Sequence, residues 1–429
     1  MPFLQATSIS RDLSAIVART AHHGHGLITD LYEEVPIGDV GGLRLVHAKL
    51  ASPLYFRGNA PKPGRMADSG IGAGFDREAA YWSAIGEAVE RYAGTIYWRD
   101  ALLSASALTL GEGAIDLKPL IRVARPGVAA FDAQASRYWM RGIDLASGAS
   151  RLVPAAMACL AYEAETPAEA IVQDDSTGLA CGQGFADAAL RALCERLERD
   201  AFAATWLLER RAPRIIFSAR DLEGLSAGCQ RVLTHRNFGM HVFYLAESFG
   251  VHVVASVTRS ASGVGVVAAA ASPSLDRAIE KAAAEGMHAW ISARKLAGQP
   301  VVETVACLNS PADHARYYLR PDRFAIVASL FGGEDTVAYS ALRTGAIADM
   351  DRITHALADA GLAATAVDLT TDDVAELGFR VVRVVVPGLQ PLVFGPACVV
   401  APDPRRLDQW RATWGLPQGP LNPHPHPFP

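Results

Sequence analysis

Cysteine is scarce and scattered: Cys159, Cys181, Cys194, Cys229, Cys307 and Cys398 are the six in 429 residues. They lie singly, with no CxxC pair and no histidine at matching spacing, which excludes a closed zinc site and favours a reduced, cytoplasmic setting. A surplus of positive charge is missing too. Forty basic against forty-five acidic side chains leave a net charge of −5, the wrong sign for a protein that holds nucleic acid by neutralising phosphates. The longest apolar stretch, around residues 263–271, falls well short of the ~20 residues needed to span a bilayer. The opening MPFLQATSISRDL has no basic segment followed by an apolar one, so no secretory signal is expected. What remains is a chain that is 50% hydrophobic and 20% charged, globular in class and, at ~150 residues per domain, long enough for two or three structural units.

Periodicity places the elements. Asp76–Ala93 has apolar residues at helical spacing, as do Ala186–Leu208, the alanine-rich Leu275–Leu296 and a segment near Ala346–Ala360. Tyr138–Pro154 reads as a hairpin about a Ser-Gly turn, and β-branched runs at 242–244, 251–257 and 264–267 suggest a meander. Two further β-type runs cover 364–368 and 380–386. No repeat of fixed period stands out. Irregular alternation of this kind favours a mixed α/β or α+β fold over a clean parallel sheet. The ending GPLNPHPHPFP is too rich in proline for helix or sheet and is expected as extended, polyproline-like chain.

Two helices carry acid on one face. At ~100° per residue, Ser83, Glu87 and Glu90 fall within an arc of about 60°, opposite Tyr81, Ile85, Val89 and Tyr92. Glu195 and Glu198 are likewise one turn apart, with Leu190, Leu193 and Leu197 roughly opposite and Arg199-Asp200 following. Like charges at that spacing repel unless a cation lies between them. A solvated acidic face and a shared divalent-metal site are both open on this pattern. Glu285, with His288 one turn on and Lys281 one turn back, is a third acidic position that an ordinary charged helix face also explains. Ser69-Gly-Ile-Gly-Ala-Gly74 could offer backbone N–H groups to an anion, or be only a flexible lead-in to the first helix. It is not a P-loop, because no Gly-Lys-Ser/Thr follows.

Together, SAIGEAVERY (residues 83–92), STGLACG (176–182) with ALCERLERDAF (192–202), and VVRVVVPGLQPLVFG (381–395) resemble the YcaO superfamily, ATP-using enzymes that modify peptide backbone amides. The likeness spans residues 65–429. It implies an α+β, YcaO-like fold with helices flanking mixed sheets around an ATP/Mg²⁺ site. Residues 1–60 would form an N-terminal segment, 61–415 the catalytic domain and 416–429 a tail reaching the active site. Carried over by position, Ser83, Glu87, Glu90 and Arg91 would bind the nucleotide with Glu195, Glu198, Arg199 and Glu285. Glu87, Glu90, Glu195 and Glu198 would be the Mg²⁺ ligands, and Arg383 would line the same site. Two departures stand out: His288 occupies a position where the family commonly has glutamine, and the glycine segment lacks the lysine many members carry.

Pro423, Pro425, Pro427 and Pro429 alternate at the very end, an arrangement that 25 prolines spread through 429 residues hardly produce by accident. A C-terminal PxPxP is typical of the azoline-forming members of the superfamily, and the resemblance gives the Pro429 carboxylate a catalytic place; a docking ligand for another domain is the competing reading. The implied activity is ATP-dependent cyclodehydration of Cys, and of Ser or Thr, in a ribosomally made precursor peptide to thiazoline or oxazoline. Thioamide or amidine formation and a non-catalytic peptide-binding scaffold are the alternatives. With no zinc-binding or E1-like segment ahead of the matching region, an E1-like, leader-binding partner protein is expected, with neither nucleic acid nor membrane involved and a homodimer left open.

Overall fold

The computed structural model describes residues 12–23, 26–35, 40–51, 69–117, 131–172, 175–236, 238–296, 299, 302–343, 345, 347–395 and 404–428. Along the chain run helix α1 (Leu13–Thr20), strands β1 (Ile28–Glu34), β2 (Arg44–Leu50) and β3 (Ser69–Gly74), and helix α2 (Arg77–Thr95). Next come β4 (Leu103–Ser106), β5 (Ser136–Asp144), β6 (Ser150–Pro154), β7 (Leu179–Gly182) and the long helix α3 (Phe185–Leu207). Then follow β8 (Arg214–Ile216), β9 (Gly239–Ser248), β10 (Val251–Arg259), β11 (Gly265–Ser272), α4 (Leu275–Leu296), α5 (Pro321–Leu330) and β12 (Thr336–Ala338). The chain closes with α6 (Met350–Asp359), β13 (Thr365–Asp368), β14 (Arg380–Val385) and α7 (Pro404–Trp414). The fold is α+β. The four helices, the hairpin β5–β6, the meander β9–β11 and the two late strands expected from periodicity are all present. The fourth helix starts later than expected, at Met350, because the Asp349 carboxylate accepts the Arg352 N–H at 2.9 Å and fixes the first turn there.

By contact the chain divides into two compact units. One holds residues 1–35, 44–196 and 354–387; the other holds 36–43, 197–353 and 388–429. The first unit has a three-stranded antiparallel sheet, β1-β2-β3, and a six-stranded one ordered β4-β5-β13-β14-β7 with β6 on β5. Its core is continuous through Val46, Ala84, Ile85, Val89, Trp139, Val381 and Val385. The second unit is built on a five-stranded sheet, β11-β10-β9-β8-β12, antiparallel except that β12 runs parallel to β8. Its β9–β10 hairpin closes on Phe249-Gly250, both with positive φ (53° and 82°), as the twist of a two-residue hairpin loop requires.

The glycine segment is not a loop. Ser69–Gly74 is strand β3, and its glycines lie against α2 at backbone distance. A Cβ on Gly72 would stand 2.0 Å from Ala80 O and 2.3 Å from Ala84 N; one on Gly70 would stand 2.5 Å from Ala88 N. Glycine at every second strand position therefore meets alanine at every fourth helix position, and the two backbones close on each other with no side chain between. Asp76 then caps α2, its carboxylate accepting the Ala79 N–H at 3.0 Å, with Glu78 favourably placed in the first turn.

Candidate functional site

Close contact between β3 and α2 fixes the first carboxylate. Glu87 accepts the Ile71 backbone N–H at 2.8 Å with one oxygen, and Arg91 Nε and Nη2 at 3.0 and 2.5 Å with the other. Arg91 is held above its ordinary range because Glu87 outweighs the opposing effect of its burial, with Glu90 and Glu195 adding to it. Strand β7 and the first half of α3 repeat the device. Gly182 presses on Ala188, where a Cβ would stand 2.5 Å from its nitrogen, and the Gly178 N–H donates to Glu195 at 2.9 Å. Gly178 has a positive φ of 77°, and a Cβ there would strike Val384 O at 2.6 Å, so this position admits only glycine.

Between these two anchored carboxylates stands Glu90, half-buried on α2. Burial pushes its carboxyl well above the usual range, and the charges of Glu195 and Glu87 push it further against the weaker pull of Arg91. The first unit therefore gathers three carboxylates, and their crowding adds to the burial that raises Glu90. Ser83 is exposed one turn before Glu87 on the same face. Arg383, buried on β14, donates from Nε to Met157 O at 3.1 Å and from Nη2 to Asp175 O at 2.9 Å, while its Nη1 is buried without a partner.

The rest of α3 belongs to the second unit. Glu198 is 4% exposed, so the acidic face is not a solvated stripe. Arg199 Nε lies 3.7 Å from its carboxylate, and the Arg199 guanidinium stands 4.1 Å from the Phe428 ring centroid. On α4, burial alone would raise Glu285, but His288 (Nδ1 to carboxylate 3.9 Å), Lys281 and Arg199 outweigh it and hold its carboxyl below the usual range.

The proline-rich tail is docked within this unit. Leu207 O accepts the Asn422 N–H and Trp206 Nε1 donates to His424 O, both at 2.9 Å; the Tyr318 hydroxyl donates to Pro425 O. His314 stacks on His426 with ring centroids 4.4 Å apart, donates from Nδ1 to His426 O at 2.9 Å and accepts the Gly395 N–H at Nε2. Phe428 meets Phe202 edge-on and is 5% exposed. Residues 415–428 form neither helix nor strand, as their prolines dictate, while Pro429 lies outside the described residues.

One residue of consequence was missed. Asp200, directly after the second acidic block, is 0% exposed and takes both Nε and Nη2 of Arg406, the Trp410 indole N–H and the Gln390 N–H, at 2.5–3.1 Å. It ties α7 to α3, through partners roughly 200 residues away that no local pattern shows.

Among the described residues, no three or more His, Cys, Asp and Glu side chains form a ready-made metal cage. The donor chemistry still suits Mg²⁺, which takes only one or two protein carboxylates and completes its shell with phosphate oxygens and water. A dication would also offset the carboxylate repulsion that adds to burial in raising Glu90.

A family model described as "YcaO cyclodehydratase, ATP- and Mg²⁺-binding" matches residues 71–390. The chain belongs to the YcaO family. ATP and Mg²⁺ are the cofactors of that family. A curated relative, an uncharacterized protein in the tfuA 3′ region of Rhizobium leguminosarum bv. trifolii, is 36% identical over 138 residues, 32% of this chain and 31% of the relative. A heterocyclase solved in complex with substrate and cofactor is similar over 97% of this chain, with TM-score 0.75 and 20% identity, and this chain covers 57% of it. The YcaO protein of Methanopyrus kandleri, bound with AMPPCP and Mg²⁺, matches at TM-score 0.60 and 21% identity over 84% of this chain and 86% of its own. The Escherichia coli microcin synthetase McbBCD complex matches at TM-score 0.60 and 13% identity, covering 86% of this chain and 91% of that one. The chain thus spans little more than half of the first heterocyclase. At these identities the likenesses to solved structures establish the fold. Among the described residues, no helix is long and apolar enough to cross a membrane.

Proposed function

We propose that the chain is an ATP-dependent cyclodehydratase that converts Cys, and Ser or Thr, of a ribosomally made precursor peptide to thiazoline or oxazoline. The observation that supports this most is the crowding of Glu87, Glu90 and Glu195 in a chain of the YcaO family. ATP supplies phosphoryl activation of the backbone amide oxygen, which otherwise leaves poorly, and Mg²⁺ neutralises the phosphates. Glu87, Glu90, Glu195 and Glu198 would hold the metal, with Ser83, Arg91, Arg199 and Glu285 toward the nucleotide. Ile71 and Gly178 N–H groups keep Glu87 and Glu195 oriented before any ligand arrives, which lowers the reorganisation needed on binding.

Arg383 would line this site, its unpartnered Nη1 free to meet a developing negative charge. In this reading the docked tail holds the Pro429 carboxylate as the base that takes the proton of the thiol or amide, and proline's fixed φ limits the entropy lost in holding it. An E1-like, leader-binding partner would present the peptide; the microcin synthetase likeness, a multi-protein complex, is in keeping with that. The test is incubation of the chain with ATP, precursor and partner. Peptide-stimulated ADP release together with a water-loss mass supports the proposal; ADP release with any other mass change points to a different backbone modification.

A further inference from the structure

The second unit's sheet carries two arginines with a histidine between them in a line on one face. Arg214 on β8 stands opposite Phe243 on β9, His241 lies two residues from Phe243 along β9, and Arg259 on β10 stands opposite Gly239, two residues further on. Residues opposite one another, or two apart on a strand, share a face. Helix α4 covers the other face, where the Ser256 hydroxyl donates to Ala282 O at 2.6 Å. On the cationic face the Arg259 guanidinium lies 5.7 Å from the Phe324 ring centroid, and His241 is exposed. Each diagonal step, Arg214 to His241 and His241 to Arg259, is about 7–8 Å.

These charges are not answered. Among the described residues none of the three side chains makes an ion pair or a hydrogen bond, and Arg214 Nε is buried with no acceptor. Burial and then the charges of Arg214 and Arg259 hold His241 below its ordinary range, so the two guanidiniums are felt at the ring between them. A positive row and an orphaned buried donor both cost free energy that a ligand with anionic oxygens would recover.

We propose that this row binds an extended acidic peptide segment with carboxylates at alternate positions. In an extended chain, alternate side chains lie on one side about 6.8 Å apart, close to the diagonal step of the row. A lone phosphate cannot span it. Single-stranded or duplex nucleic acid would call for a broader cationic field than two guanidiniums on a chain of net charge −5. The inference uses none of the carboxylates assigned to ATP and does not rest on the cyclodehydratase reading.

The experiment uses the full chain and a fluorescein-labelled peptide of alternating Glu and Thr, read by anisotropy, with inorganic phosphate and a single-stranded oligonucleotide as competitors. Salt-sensitive binding is expected. The double variant Arg214→Gln/Arg259→Gln should weaken it by about tenfold or more, while Arg214→Lys/Arg259→Lys stays within about threefold because the charges remain. The His241 ring resonances should titrate at higher pH in the complex, since peptide carboxylates offset the two guanidiniums; this readout on the parent decides the matter if the Gln variant melts early. No binding at millimolar peptide, equal binding by the Gln variant, equal loss in the Lys variant, an unmoved His241, displacement by equimolar phosphate, or preference for the oligonucleotide would each overturn the proposal.

Discussion

The two strand-to-helix arms, β3–α2 and β7–α3, use one device with different partners. In each, a strand glycine lets the backbone settle on helix alanines, and a strand-side N–H reaches the first glutamate of an ExxER block: Ile71 to Glu87, Gly178 to Glu195. Arg91, which closes the first block, turns back one helical turn to Glu87; Arg199, which closes the second, lies beside Glu198 with its guanidinium 4.1 Å from the Phe428 ring centroid. The second arm thus also meets the tail. A repeated anchoring motif can carry a further contact in one of its copies.

The anchoring half of that comparison breaks most severely at Gly72. Gly72→Val places branched atoms where even a Cβ is 2.0 Å from Ala80 O. Neighbouring backbone cannot yield, so overpacking should cost about 3 kcal/mol or more and displace Ile71 from Glu87. A fall in urea midpoint, or insoluble expression, is the expected outcome; parent-like unfolding would mean that β3 is free to move off the helix.

The next largest effect separates charge from fold. Glu87→Gln and Glu195→Gln keep shape and each retain an acceptor for the strand N–H, so melting should stay near the parent while ADP release falls by about a hundredfold or more. Equal losses would show that the arms contribute alike. A loss confined to one would make the other a structural copy.

At the tail, Phe428→Ala removes the ring that meets Phe202 and Arg199. A buried Phe→Ala change costs about 3–5 kcal/mol when fully felt, but a chain end can pull away instead, so global melting should drop by less. Ring formation should fall while calorimetric nucleotide affinity stays near the parent. Unchanged azoline formation would leave the tail as packing only.

Glu90 gives a pH signature. Its carboxyl is raised in the folded chain, so the native state binds more protons than the unfolded one from about the ordinary value of 4.5 up to the native value. Stability should fall as pH rises through that window. Glu90→Gln, which carries no charge, should melt above the parent at pH 8 and lose the advantage near pH 4; thermal melts across that range check it.

Much of this was legible beforehand because it is local. Helical and alternating periods located α2, α3, α4 and the β9–β11 meander, while spacing marked Glu87, Glu90, Glu195 and Glu198 only as acidic faces, with a solvated stripe and a metal site both open. What was not legible depends on distant partners. A run of glycines has the same local signature whether it floats as a loop or lies against a helix, and only the alanines at 80, 84 and 88, read as a facing row, could have shown β3. Asp200 is similar: an acid after Glu-Arg is ordinary until Arg406 and Trp410 arrive from the far end of the chain.

The smallest effect sharpens the comparison from the opposite side. Gly86 sits on α2 one residue before Glu87, at the position Cys194 holds before Glu195, and a Cβ there meets nothing within 4 Å. Unlike the strand glycines it serves no close approach, so it carries only the entropic penalty of glycine in a helix. Gly86→Ala should therefore stabilise the chain by about 0.5–1 kcal/mol, a few degrees or less in melting temperature for a protein of this length, with ADP release unchanged. If the variant instead loses ADP release while melting higher, the space beside Gly86 is needed by the nucleotide, and the two arms differ at that position because only one of them has to leave room.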